Sequence, residues 1–139
     1  MQKIVVDTNV VVSSLIQRSY PYLIIYELFI KSRFKLCISD SLLAEYLEVL
    51  SRPKFARFQD FHLRAKILLA EIDLKSAKYN PNQLVSIIAD EPDNRILELA
   101  GECLADFIIT GNTNDLTFSV YKETRIVTPK EYWEDYRPE

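Results

Sequence analysis

The residues of this chain that could do chemistry are acidic, and four of them fall at or near the end of a predicted strand or the start of a predicted helix. In chain order they are Asp7, Glu45, Asp93 and Asp115. Carboxylates gathered at one sheet edge repel one another, so such a set usually has a divalent cation to hold it. Because the ligands would all be oxygen atoms, the pattern predicts Mg²⁺ or Mn²⁺ and not zinc.

Asp7 follows the apolar run Ile4-Val5-Val6, which predicts a strand buried on both faces. Ligands of open α/β folds bind at the carboxyl edge of the sheet, where Asp7 would emerge. Asp is also a favoured helix N-cap, so this residue alone leaves both roles open. The three further acids favour the ligand role, and we then expect Thr8 or Asn9 to cap the following helix.

A second apolar run, 107–110, is also followed by polar residues, in the loop 111–115. This strand predicts Asn112 and Asp115 at the same edge as Asp7, although a capped turn would favour the same residue types. The glycine that opens the loop is expected to supply a backbone conformation that other residues resist.

Glu45 and Asp93 belong to predicted helices. Over residues 41–51 a wide apolar arc forms at helical spacing, and Glu45 lies just outside its edge while Glu48 points further into solvent. Asp93 follows Pro92 in the first turn of another helix, where the helix dipole alone favours a carboxylate. Taken singly, Glu45 could be an ordinary surface residue, and Asp93 could be an acid that the start of a helix favours. As members of the set of four acids, both are predicted metal ligands.

Strands alternate with helices along the chain, which predicts one α/β domain over residues 1–139 with helices on both faces of a parallel sheet. Strands are expected over 4–6, 35–39, 107–110 and 125–128, and helices over 9–17, 21–32, 41–51, 61–76, from 90–94 to 103, and over 129–136. Residues 55–60 are predicted to be a linker, and residues 84–89 a strand or an irregular lead-in.

Composition argues against several classes of site. The 139 residues are 48% apolar and 27% charged with a net charge of −3, which is ordinary for a soluble protein. Two glycines are too few for glycine-rich phosphate loops, and one histidine, His62, argues against a His-based triad or a zinc site. Cys37 and Cys103 are predicted to be buried free thiols. With no signal peptide and no bilayer-length apolar stretch, a cytoplasmic location is expected.

Basic and aromatic residues interleave between positions 52 and 66, which suggests a path for a nucleic-acid strand. Arg52, Lys54 and Arg57 could contact phosphates, and the neighbouring phenylalanines could stack on bases. The other interpretation is that the phenylalanines belong to the core and the charges to a solvated face.

These residues match a known protein family in order and context. The chain resembles the PIN-domain ribonucleases, and more closely their toxin-type (VapC-like) members in bacterial and archaeal toxin–antitoxin pairs. The stretches that carry the resemblance extend over nearly the whole chain: Ile4–Asn9 (IVVDTN), Leu43–Phe55 (LAEYLEVLSRPKF), Glu91–Ala100 (EPDNRILELA), Ala105–Leu116 (ADFIITGNTNDL) and Arg125–Trp133 (RIVTPKEYW).

By this resemblance, four residues match the acidic quartet that is both catalytic and metal-binding in the family: Asp7, Glu45, Asp93 and Asp115. Supporting polar residues match at Thr8, Asn9, Thr110 and Asn112. Many members have an aspartate directly after the Thr-Gly pair, where this chain has Asn112. The related Asn-x-x-Asp arrangement fits Asn112 and Asp115.

The resemblance also implies a fold, an activity and partners. The fold would be a three-layer α/β/α sandwich with a central parallel sheet of about five strands, often as a homodimer. The activity would be Mg²⁺- or Mn²⁺-dependent cleavage of single-stranded RNA, and a toxin would have a cognate antitoxin protein that covers its site.

Two other hypotheses stay open. One is a catalytically inactive PIN-like nucleic-acid-binding or assembly module, which the departure at Asn112 would suit. The other is an aspartyl phosphatase or phosphotransferase with Asp7 as nucleophile. Those enzymes commonly have a second acid two residues further on, where this chain has Asn9.

Overall fold

Strands and helices alternate along the part of the chain that the computed structural model describes, residues 1–80, 91–111 and 120–139. The strands are β1 (Lys3–Val6), β2 (Lys35–Ile38), β3 (Ala77–Lys78), β4 (Phe107–Ile109), β5 (Val120–Tyr121) and β6 (Thr124–Val127). The helices are α1 (Thr8–Ile16), α2 (Tyr20–Tyr22, continued as a π-helical segment over Leu23–Phe29), α3 (Asp40–Leu50), α4 (Phe61–Lys75), α5 (Glu91–Cys103) and α6 (Pro129–Glu131, continued as a π-helical segment over Tyr132–Tyr136). A short 3₁₀ helix, Pro53–Arg57, joins α3 to α4.

Within these residues the strands form one six-stranded sheet in the order β3-β2-β1-β4-β6-β5. Neighbouring strands are parallel except for β5 and β6, which form an antiparallel hairpin. Strand β1 lies between β2 and β4, so the chain first builds the sheet on one side of β1 and later on the other. The carboxyl ends of β1 and β4 therefore stand at a switch point of the sheet, where ligands of open α/β folds bind.

Strand β1 is the centre of the core. Its residues Ile4, Val5 and Val6 are fully buried, as their unbroken apolar sequence predicts. Helix α5 packs against β1, β2 and β4, while α1 contacts α3 and α4. The result is the predicted α/β/α fold, with a mostly parallel sheet of six strands where about five were expected.

The differences from the sequence-based expectations are local. The pattern does not predict β3 or β5, because each has only two residues. Part of the predicted linker, 55–60, belongs to the 3₁₀ helix, whose Phe55 is buried in the core. The predicted strand or lead-in over 84–89 and the polar loop beyond residue 111 lie outside the described residues.

Cys37 in β2 and Cys103 at the end of α5 are buried free thiols, as predicted. The Cys103 Sγ donates to the Ala100 carbonyl at 3.8 Å, and the proximity of the two thiols lowers the pKa of Cys37 and raises the pKa of Cys103. Among the helices that the structure describes, none is long and apolar enough to cross a membrane.

Candidate active site at the end of strand β1

The register between β1 and β4 brings together the residues that follow them. Val6 pairs with Ile109, so Asp7 and Thr110 are the next residues of two adjacent strands. The backbone N–H of Asp7 donates to the Ile109 carbonyl at 2.9 Å, and the Thr110 hydroxyl donates to Asp7 Oδ2 at 2.7 Å. Asp7 is only 6% exposed. Because a buried carboxylate is costly without compensating contacts, the Thr110 hydroxyl helps to stabilise Asp7 where it stands.

Asp7 also occupies the N-cap position of α1, which begins at Thr8. The expectation that Thr8 or Asn9 would be the cap is therefore wrong, since both lie inside the helix. Asp7 is the residue with the extended backbone of a cap (φ −65°, ψ 146°), yet its side chain makes no capping hydrogen bond. The carboxylate instead accepts from Thr110, and it stands beside the positive end of the α1 dipole.

Glu45 reaches the same place from α3. It is half-buried, and the Thr8 hydroxyl donates to Glu45 Oε2. Glu45 thus contacts the residue that directly follows Asp7. Glu48, one turn along, is exposed and pairs with Arg52, with its Oε2 2.9 Å from the Arg52 Nη2. The inward position of Glu45 and the outward position of Glu48 agree with the edge of the apolar arc in the sequence.

Tyr46 connects α3 to the last residue of β1. It is fully buried, and its hydroxyl donates to the Val6 carbonyl. Burial raises the pKa of Tyr46 well above its usual range, and the negative charges of Asp7 and Glu45 raise it further. The tyrosine therefore lies in the field of both carboxylates. Tyr46 lies within the apolar arc of residues 41–51 and was not singled out from the sequence. The sequence feature that could have identified it is a hydroxyl group at a position where a purely apolar side chain would also have filled the core.

The side chains of Asp93, Asn112 and Asp115 lie outside the described residues. The backbone of Asp93 belongs to the first turn of α5, a helix that packs against β1, β2 and β4. Asn94, the next residue, is 6% exposed and was not singled out from the sequence. The sequence feature that could have identified Asn94 is a polar residue on the inner face of an amphipathic helix.

Asn9 and Gly111 lie beside each other near the end of β4. Asn9 is exposed in the first turn of α1, and a Cβ atom at Gly111 would stand 3.8 Å from Asn9 Oδ1. Gly111 has no positive φ, so the expectation that it supplies a conformation other residues resist is wrong. A side chain at this position would make an ordinary contact, and the backbone itself does not require glycine there.

The donor set of the site fits a hard divalent cation. Asp7 and Glu45 offer carboxylate oxygens, and the hydroxyls of Thr8 and Thr110 each donate to one of them. Contacts of this kind orient metal ligands. Mg²⁺ usually binds through one or two carboxylates together with waters and substrate phosphates, so two acids suffice to begin such a site. Among residues whose side chains the structure describes, no group of three or more His, Cys, Asp or Glu could hold a metal.

The basic segment after α3 is exposed, but two of its aromatic rings are not. Arg52, Lys54 and Arg57 are all exposed. Phe55 is 8% exposed and stacks on Phe61, with the ring centroids 4.7 Å apart. These two phenylalanines belong to the core, as the second interpretation of the sequence had it. They are not available to stack on bases.

Comparison with known proteins matches the chain to a family model and to a relative of similar length. A family model described as a PIN domain matches residues 3–114. That span includes Asp7, Glu45 and Asp93, and it ends one residue before Asp115. The chain is also 28% identical over 142 residues to an uncharacterized protein of Methanocaldococcus jannaschii, with 96% of this chain and 91% of that protein covered.

Proposed function

The chain belongs to the PIN-domain family, whose members are generally nucleases, and on that premise we propose that it is a metal-dependent endoribonuclease that cleaves single-stranded RNA. The observation that carries the proposal is the pair of oriented carboxylates at the switch point. Asp7 is buried and accepts from Thr110, and Glu45 accepts from Thr8. Such a pair suits an ion that must meet a substrate at the carboxyl edge of the sheet.

In this proposal Asp7 and Glu45 hold Mg²⁺ or Mn²⁺ together with Asp93 and Asp115. When bound, the ion supplies a water of lowered pKa and stabilises negative charge on the scissile phosphate during an in-line displacement. No protein nucleophile would be needed, because a water would form the new P–O bond while the bond from phosphorus to the leaving oxygen breaks, and the proton that the water loses would end on that oxygen.

The hydroxyl groups at the site have a positioning role. Thr110 and Thr8 each donate their hydrogen to a carboxylate, which fixes the rotamers of Asp7 and Glu45 before any ion arrives. The Tyr46 hydroxyl links α3 to β1, so the helix that carries Glu45 and the strand that leads into Asp7 keep a fixed position relative to each other. Such preorganisation lowers the cost of assembling the site when substrate binds.

We further propose that the chain is the toxin component of a type II toxin–antitoxin pair and that a cognate antitoxin protein covers the site. The support is the resemblance of its motifs to toxin-type members. Induced expression should arrest growth, and Asp7→Asn should relieve the arrest. Co-expression of a small DNA-binding protein encoded beside the gene should relieve it as well, and normal growth during strong induction of the native chain would contradict the toxin role.

Cleavage of a single-stranded RNA in Mg²⁺ or Mn²⁺ tests the nuclease proposal. Asp7→Asn keeps the size of the side chain and an oxygen that can accept from Thr110, but it removes the negative charge, so we expect cleavage to fall roughly 100-fold or more. Asp106→Asn is the matched control: Asp106 is exposed at the amino end of β4, where its Oδ2 accepts from the Lys3 N–H at 2.8 Å. Undiminished cleavage by Asp7→Asn would refute the assignment.

A further inference from the structure

A cavity lies at the carboxyl end of α1, where this helix meets α2 and α4. Its volume is about 420 Å³. Two of the described residues that line it are apolar, Ile16 and Ile67. The others carry a polar group: Ser14, Gln17, Arg18, Tyr22, Tyr26 and Arg64. Such a volume and such a mixture of aromatic, apolar and polar walls are typical of a pocket that binds a small molecule or one group of a larger one.

Two tyrosines form the aromatic part of the wall. The ring centroids of Tyr22 and Tyr26 are 4.8 Å apart, and the ring planes are inclined by 31°. Both residues are half-buried, so part of each side chain stays accessible. The Arg18 guanidinium lies beside them, with its Cζ 5.4 Å from the centroid of the Tyr22 ring. Proteins hold single-stranded nucleic acid with this combination, because bases stack on the rings and a basic side chain contacts the phosphates.

The charged side chains of the wall are both basic. Arg18 is exposed and forms no ion pair with any residue that the structure describes. The Arg64 Nη1 donates to the Leu15 carbonyl at 3.0 Å, which places this cation at the negative end of the α1 dipole. Arg64 thus offsets the partial charge that would repel a phosphate there, and Arg18 remains for the phosphate itself. The cavity therefore favours an anionic ligand.

The acids that are nearest in the chain to the lining residues leave this positive charge in place. Glu27 has its Oε2 2.6 Å from the Lys31 Nζ. Glu71 has its Oε2 3.3 Å from the Lys75 Nζ. Asp60, at the N-cap of α4, is exposed and does not line the cavity. Two of these acids are therefore paired with lysines, and the third lies outside the wall.

The exposed face of α1 connects the cavity to the candidate active site. At one end of this face, Asn9 lies beside Gly111 near the end of β4. At the other end, Ile16 and Gln17 line the cavity. The exposed and half-buried residues of the helix and its C-cap form one stripe at helical spacing: Asn9, Val12, Ser13, Ile16 and Gln17. Because a helix of this length extends about 13 Å, a strand that follows the stripe reaches the cavity a few nucleotides from the site.

We propose that this cavity binds one unpaired nucleotide of the RNA strand, with the base against Tyr22 and Tyr26 and the phosphate on Arg18. The proposal rests on the proposed function for the identity of the ligand, and it adds a contact remote from the scissile bond. A base-paired nucleotide would not reach the rings, so the cavity selects a strand that stays unpaired beyond the cleavage position. A protein segment would fill the apolar part of the cavity, but without an acid it would leave the positive charge of the wall unpaired.

Fluorescence anisotropy of a labelled, unstructured single-stranded RNA tests the proposal in a chelating buffer, where metal-dependent cleavage is prevented. Tyr22→Leu removes the ring and keeps an apolar side chain, so we expect the Kd to rise about tenfold. Arg18→Gln removes the charge of an exposed side chain, a change that the fold should tolerate. It should lower the salt slope of log Kd by about 0.7, the value for one phosphate of a single strand.

A second arginine–tyrosine pair supplies matched controls. The Arg125 Cζ lies 5.2 Å from the centroid of the Tyr136 ring. Arg125 is exposed and Tyr136 is half-buried, like Arg18 and Tyr22. Arg125 lies near the amino end of β6, away from the edge of the sheet that carries the candidate active site. Arg125→Gln and Tyr136→Leu should therefore leave the Kd near the native value. Equal Kd values of Tyr22→Leu and Tyr136→Leu would overturn the proposal and would favour a protein segment as the occupant. A native chain that binds no single-stranded RNA would also overturn it.

Cross-linking locates the bound nucleotide directly. Irradiation of RNA that carries 5-iodouridine should attach it to the tryptic peptide 19–31, which contains Tyr22 and Tyr26. A label confined to other peptides would refute the site.

Free nucleoside monophosphates test the source of the ligand. They should bind much more weakly than the strand, because they lack the contacts along α1, and equal affinity would refute binding as part of a strand. All these readouts measure binding without cleavage. A chain that binds RNA in this way but cuts none would therefore refute the proposed function alone, whereas a chain that cuts RNA and whose Tyr22→Leu variant keeps the native Kd would refute the cavity alone.

Discussion

Replacing Thr110 with valine removes one hydroxyl from the site and keeps the shape of the side chain. Thr110 is 1% exposed, and its hydroxyl donates to the buried carboxylate of Asp7 at 2.7 Å. Hydrogen bonds to charged groups contribute about 1.5–3 kcal/mol to stability. Removing a donor from a buried charge is expected to cost a free energy toward the upper end of this range. We therefore expect Thr110→Val to lower the free energy of unfolding by about 2–3 kcal/mol.

Thr124→Val is the matched control for this effect. Thr124 is 3% exposed, and its hydroxyl donates to the carbonyl of Ala105 at 2.6 Å. The two threonines have equal shape, similar burial and similar hydrogen-bond lengths, but the acceptor of Thr124 is neutral. A hydrogen bond between neutral groups contributes about 1 kcal/mol, so Thr124→Val should cost about half as much or less.

Urea unfolding in a chelating buffer, with linear extrapolation to water, measures both costs. Repeating the measurement in an Asp7→Asn background closes a double-mutant cycle. There the cost of Thr110→Val should fall to about that of Thr124→Val, because the charged acceptor is gone. Equal costs of the two substitutions in the native background would refute the reasoning, since Asp7 would then not act as a buried ionised acceptor.

Three further outcomes follow from the same contacts. Glu45→Gln should slow RNA cleavage about tenfold or more, because an amide is a poor substitute for a carboxylate ligand. Glu48→Gln should leave the cleavage rate within about twofold. Equal losses of cleavage rate in the two variants would contradict the inward position of Glu45. Tyr46→Phe should cost about 1–2 kcal/mol in urea unfolding, because the Val6 carbonyl loses a buried donor, and an unchanged midpoint would mean that this bond contributes nothing. Arg57→Ala should weaken RNA binding and lower the salt slope of log Kd by about 1 with little change in stability; an unchanged slope would exclude a phosphate contact.

Much of the fold follows from local patterns. Unbroken apolar runs identify β1 and β4, and helical spacing identifies α3 and α5, because long periodic segments have few other ways to bury their apolar faces. The adjacency of Asp7 and Thr110 follows from the same logic, since residues that end parallel neighbouring strands meet at one edge.

The remaining features depend on contacts between distant parts of the chain. The bonds from Thr8 to Glu45 and from Tyr46 to Val6 join residues 37 and 40 positions apart, which no local pattern specifies. The sequence does not identify the cap of α1, because Asp7, Thr8 and Asn9 are all favourable cap types. Asp7 is the cap because β1 ends just before it and α1 begins just after it. The two-residue strands β3 and β5 exist because neighbouring strands hold them.

Calorimetric titration of the purified chain with Mn²⁺ tests most directly the claim that the carboxylates at the end of β1 hold a divalent cation. We expect saturable binding by the native chain and by Asp106→Asn, and binding at least about tenfold weaker by Asp7→Asn and by Glu45→Gln. Mn²⁺ binding by Asp7→Asn that matches the native chain in affinity and stoichiometry would contradict the account.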